Sequence, residues 1–295
     1  MSSVSAAPPA PALVGAAPIG ARRPSTLVVY RWELRKLVSQ KRTYLGLGLA
    51  ILLPLIFVIS QLVRGHPPRG ADSIFASEIF QSGLATPVLM LTFLAPFFLP
   101  LIGALVAGDI VAAEDNNGTM KTILTRSVDR GQVFAAKAAA AMTYGLIAVY
   151  LSAAVGTVAG ISAWGFHGVR TFSDTYVSAQ KALLLVFAAN AFFLIPLLTV
   201  VAIGVLLSTV TRNSAAAIVG TLGVTLILAI VSQIPGLEGL HPYLLTTQYF
   251  AWQGLLRTPT DWSPIAHSAW VCALYAVPAL VAGYLVLLRR DVTGG

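Results

Sequence analysis

The sequence predicts an all-α polytopic membrane protein: six transmembrane helices, an N-terminal interfacial helix, and a short cytoplasmic helix between transmembrane helices 2 and 3. Three observations predict it. Only 30 of the 295 residues are charged, 10%, where a soluble domain carries about 25%. Hydrophobic residues make up 57%, and the mean hydropathy is +0.80. The apolar residues also fall into six long, continuous runs with no period-two alternation, which excludes a β-barrel reading. A water-soluble enzyme, a nucleic-acid binder and a disordered chain are all excluded by so few, so unevenly placed charges. The lone cysteine, Cys272, lies inside an apolar run and reads as a buried apolar side chain.

Taken in order, residues 1–24 form an Ala/Pro-rich cytoplasmic tail without the basic-then-apolar pattern of a secretory signal, and 25–295 form the transmembrane domain. Ser25–Lys41 reads as an amphipathic helix with Leu27, Tyr30, Leu34, Leu37 and Val38 on one face. Arg31, Arg35 and Lys36 crowd the other, placed to meet anionic headgroups or a soluble partner. The spans follow at about 44–63, 84–107, 138–163, 182–207, 215–234 and 268–288, each near the roughly 20 residues that cross a bilayer.

Six spans put both termini on one side. Fourteen of the 19 Lys and Arg residues fall on that side, which makes it cytoplasmic. Trp164, Trp252, Trp262 and Trp270 gather at the outer face and Trp32 at the inner one, as interfacial anchors do.

The segment after span two carries the most information. Asp109, Glu114 and Asp115 lie within seven positions, and Asn116-Asn117-Gly118 is a turn signal. Thr119–Arg126 then makes about two turns of helix, with Met120, Ile123 and Leu124 as its apolar stripe. Asp129 with Gln132 reads as a capping pair for the helix entering span three. A short amphipathic helix between two turns is a knob suited to passing force to a soluble partner.

These residues resemble the permease subunit of ABC-2 type ATP-binding-cassette transporters. Asp109, Glu114, Gly118, Thr119, Lys121, Leu124, Arg126, Arg130 and Lys137 follow that family's pattern, with Ser127 where its members often have proline. The resemblance implies an export-type permease moving a hydrophobic or amphipathic substrate across the cytoplasmic membrane. It implies partners as well: separate ATPase subunits that hold the ATP and Mg, and a second permease subunit, identical or not. It makes Asn117–Ser127 a coupling helix. The ATPase-coupling residues are then Asp109, Glu114, Gly118, Thr119, Met120, Lys121, Ile123, Leu124, Arg126 and Arg130. Arg31, Arg35 or Lys36 would pair with acids such as Glu114. The pathway would lie where span two of one subunit faces span five of the other, lined by Phe93, Phe97, Thr221 and Thr225.

The chain itself offers no catalytic residues and no metal site. Lys121-Thr122 is the nearest approach to a phosphate-binding loop, but Met120 stands where the glycine is required. Asp109 and Glu114 are about 140° apart on a helix, so they do not form a paired acidic motif. The four histidines lack a partner at helical spacing. No charged residue sits at a span centre, which disfavours the alternative of an ion-coupled carrier or channel; an intramembrane lipid-modifying enzyme is a further alternative. Asn190 is the deepest strongly polar residue, an interhelical hydrogen-bonding group or else a substrate contact. Prolines 54, 87, 96, 100, 196 and 278 are expected to bend their spans. Gly156 and Gly160 form a small-xxx-small packing motif. The aromatic loop 235–267 is an interfacial rim or a re-entrant cap.

Overall fold

The computed structural model describes residues 24–65, 81–119, 128–171 and 173–289. The N-terminal tail to residue 23 and the stretch Met120–Ser127 lie outside them.

Helix α1 runs Thr26–Val38, and the two residues Ser39 and Gln40 separate it from α2, Lys41–Arg64. The second span is broken: α3 covers Ala85–Phe93 and α4 covers Ala95–Ala107. The break falls two residues before Pro96, which has no N–H to give the carbonyl of Thr92 and disfavours helical geometry just ahead of it. A one-turn helix α5, Ala112–Asn116, follows, then α6 over Arg130–Trp164. A two-stranded antiparallel hairpin, β1 Val169–Arg170 and β2 Tyr176–Val177, pairs Val169 with Val177. The remaining long helices are α7 Ala179–Thr211, α8 Ser214–Val231 and α9 Ser263–Leu288. Six helical segments among the described residues are long and apolar enough to cross a membrane.

Helix α6 has 35 residues, about 52 Å at 1.5 Å each, and so outruns a hydrocarbon core of about 30 Å. Its first two turns stand beyond the apolar run, and they begin with the expected cap. The Asp129 carboxylate accepts from the Gly131 N–H, and the Gln132 side chain accepts from the Asp129 N–H. At the other end α6 crosses the start of α3 through two glycines. A Cβ on Gly160 would lie 2.4 Å from the Gly83 carbonyl oxygen, so the small-residue motif serves packing inside this chain.

Helix α7 is the central element, in contact with α4, α6, α8 and α9. The core runs from Ile102 and Val106 on α4 through Ala141 and Tyr144 on α6 to Leu197 and Val201 on α7. The loop 235–267 folds back as two 3-10 segments, His241–Tyr243 and Thr247–Leu256, the second packed on α7 and α9. Its aromatics divide. Tyr249 and Trp252 are buried, so Trp252 is a core residue here and not an interfacial anchor. Tyr243, Phe250 and Trp262 remain exposed.

Candidate functional site

Helix α1 does not present the face that its apolar stripe suggested. Leu27 and Val38 point outward, at 56% and 61% exposure, and the inward face is Tyr30, Glu33, Leu34 and Leu37. Glu33 lies three residues after Tyr30 and four before Leu37, so helical geometry carries it into the bundle. A carboxylate buried to 7% exposure needs a cation beside it.

That cation is Lys137 of α6, whose side chain has no exposure at all. Its ammonium contacts the Glu33 carboxylate at 3.1 Å, the Ile110 carbonyl at 3.0 Å and the Glu114 carboxylate at 3.2 Å. All three N–H donors of the ammonium are thereby used. Lys36, also on α1, joins from the half-exposed side. It ion-pairs with Glu114 and lies 3.5 Å from Glu33. Arg42, at the start of α2, pairs with buried Asp109. Three acids and three bases thus join α1, α2, α6 and the segment 109–114 with zero net formal charge. Burial, then the neighbouring Lys137 ammonium, push the Lys36 amine from 10.5 down to about 8, while Glu33 pulls the other way. Its contribution to stability is therefore complete above pH 10.5 and lost as the pH falls through about 8.

The segment carrying Asp109 and Glu114 is fixed from the other side as well. The Ser208 hydroxyl of α7 accepts from the N–H groups of Val111 and Ala112, at 3.1 and 2.9 Å, satisfying donors at the start of α5. The Asn116 amide donates to the Ser214 hydroxyl on α8 at 3.2 Å. Thr119 donates its hydroxyl to the Glu114 carboxylate. Gly118 ends α5 with φ of +66°, a left-handed conformation that glycine adopts without strain.

The structure therefore brings together Asp109, Glu114, Thr119 and Lys36 of the sequence-derived set. Arg130 stands apart, donating to the Leu288 carbonyl at the end of α9 at 2.7 Å. Arg31 and Arg35 are exposed and do not join the cluster. Met120, Lys121, Ile123, Leu124 and Arg126 lie outside the described residues. Sequence reasoning did not find Glu33, Arg42 or Ser208 as site residues, and it placed Lys137 in a motif without a role. The findable signal was Glu33 at i+3 and i−4 from the apolar Tyr30 and Leu37.

The pathway residues do not converge within one chain. Phe93 and Phe97 are 59% and 69% exposed on the surface of α3 and α4. Thr221 is buried and donates to the Ala217 carbonyl, and Thr225 donates to that of Leu222. Asn190 is buried, donates to the Val186 carbonyl at 2.8 Å, and lines an apolar crevice with Ala50, Met90 and Phe98. Among the described residues, no three His, Cys, Asp or Glu side chains converge as a metal site.

Residues 49–293 match the model of a family described as protein of unknown function (DUF2705). Two relatives share a shorter stretch. A probable ABC transporter permease protein NosY of Stutzerimonas stutzeri is 29% identical over 100 residues, which is 34% of this chain and 36% of that protein. A protein of the same description from Pseudomonas aeruginosa is 31% identical over 100 residues, again 34% of this chain and 36% of its own length. The matched stretch thus spans about a third of these curated relatives.

Proposed function

We propose a function from one premise: the chain belongs to the DUF2705 family, described as proteins of unknown function, and shares part of its sequence with ABC transporter permeases. On this reading it is the membrane subunit of an ABC-2 type exporter. ATP, with Mg, is hydrolysed on separate ATPase subunits, and a second permease subunit completes the pathway for a hydrophobic or amphipathic substrate. Both termini are cytoplasmic, and the chain is not itself an enzyme.

The observation that carries this reading is the buried ion cluster. A free surface loop would have no need of it, because burying four of its six charged side chains, Glu33, Asp109, Glu114 and Lys137, is costly unless each is closely paired. Here the pairing ties the segment 109–119 to α1, α2 and α6 at one end of the bundle. A load applied to the segment 109–119 would then be passed to α1, α2 and α6 together. A rigid connection between a docking element and the membrane helices is what an external motor requires, and its stroke would switch access as a rigid-body movement.

Replacing residues 118–126 with a flexible linker of equal length tests the reading. The altered chain should still fold and insert, and it should lose copurification with an ATP-binding-cassette ATPase. Full retention of the ATPase would overturn the assignment of this segment.

A further inference from the structure

We infer that the outward face of α1 is a binding surface for anionic phospholipid, centred on Arg31 and Arg35. The charges of α1 divide cleanly. Glu33 and Lys36 turn inward and are consumed by the ion cluster. Arg31 and Arg35 turn outward and make no side-chain hydrogen bond or ion pair among the described residues. At 100° per residue they sit 40° apart at the middle of the exposed arc. Apolar side chains flank them on both sides: Leu27 and Val38 on one, Val28 and Trp32 on the other, all exposed, with Trp32 at 68%.

Bulk water does not suit that face, since it would wet a tryptophan and three aliphatic side chains in one turn-by-turn strip. A hydrocarbon interior does not suit it either, since it would bury two unpaired guanidinium groups. The boundary between them suits it: with one apolar flank turned toward the acyl region, Arg31 and Arg35 stand at headgroup depth, where long cationic side chains place their charge. The connection fixes α1 at that depth, because only Ser39 and Gln40 separate it from the membrane-spanning α2. Two guanidinium groups with open donor forks are suited to phosphate oxygens, and a negatively charged headgroup adds a Coulombic preference over a zwitterionic one. The occupant is therefore lipid phosphate with net negative charge, such as phosphatidylglycerol. The inference stands on α1 alone and does not depend on which partner drives the transporter.

The test is native mass spectrometry of the purified full chain in micelles doped with phosphatidylglycerol or phosphatidylcholine. The unaltered chain should retain phosphatidylglycerol preferentially. The double variant R31Q/R35Q should lose about 25-fold in that affinity, roughly fivefold per cation, with phosphatidylcholine retention unchanged. R31K/R35K should keep most of the preference, since it keeps the charge. Both variants are expected to unfold at the temperature of the unaltered chain, because neither side chain contacts the core. Equal retention of the two lipids by the unaltered chain, or equal phosphatidylglycerol affinity in R31Q/R35Q, overturns the inference. A loss of ATPase copurification in R31Q/R35Q with phosphatidylglycerol affinity intact also overturns it, assigning the face to a soluble partner.

Discussion

Lys137 is where residue-scale physics is most exposed to test. A lysine with no solvent exposure is stable as a cation only because two carboxylates and a carbonyl surround it. Lys137→Met keeps most of the side-chain volume and removes the charge, leaving Glu33 and Glu114 to share Lys36 alone. Breaking a buried pair in this way costs about 3–5 kcal/mol. Thermal unfolding in detergent should therefore show a large drop for Lys137→Met. The double variant Glu33→Gln with Lys137→Met should recover part of it, because the uncompensated charge is removed along with its partner. Additive losses would mean that the two groups do not act as a pair. Glu33 itself shows why sequence alone undersold this site. Between Arg31 and Arg35, with Lys36 beyond, an acid reads as one member of a solvated charged face. Only the register of Tyr30 and Leu37 says that it turns inward, and that register was readable.

At the scale of elements, the spans were legible because twenty apolar residues in water have no other stable fate. The Asp129 cap was legible too, since its chemistry is local. The division of the second span was legible only as a bend: Pro96 announces a lost hydrogen bond, while the length of each piece depends on what packs against it. The fate of the aromatic loop was open, because Trp252 at an interface and Trp252 in a core have the same sequence signature. The α3–α6 crossing is a firmer inference from Gly160, and it can be broken deliberately. A Cβ there meets the Gly83 oxygen at 2.4 Å and the Thr86 hydroxyl at 2.6 Å, backbone on one side and a short side chain on the other. Gly160→Leu should therefore force the two helices apart at a cost of about 1–3 kcal/mol. Gly48→Ala, with nothing within 4 Å, should be neutral or slightly stabilising because it improves helix propensity. A melting temperature for Gly160→Leu equal to that of Gly48→Ala would remove the crossing from the packing scheme.

Over the whole molecule, the scarcity of charge points to a bilayer as solvent, and the placement of the few charges supports the proposed mechanics. The ion cluster, the ends of α4 and α9, and the starts of α2 and α6 all lie at one end of the bundle. The hairpin and the two 3-10 segments lie at the other, where Gly83 and Ser82 are stapled to Gly165 and His167 by hydrogen bonds of 3.1 and 2.7 Å. Arg42, Arg130 and Lys137 belong to the first end, and on the proposed reading the positive-inside rule makes that end cytoplasmic. If it faced outward instead, the coupling reading would fail, because ATP is supplied inside. The chain is well suited to settling the matter. Its one cysteine, Cys272, is 2% exposed and should stay silent toward a membrane-impermeant maleimide. Thr26→Cys at the start of α1 and Ser263→Cys at the start of α9 place exposed thiols at opposite ends. On intact cells the Ser263→Cys chain should label and the Thr26→Cys chain should not, until the membrane is opened. Labelling of Thr26→Cys in intact cells would invert the molecule and take the ATPase-driven mechanism with it.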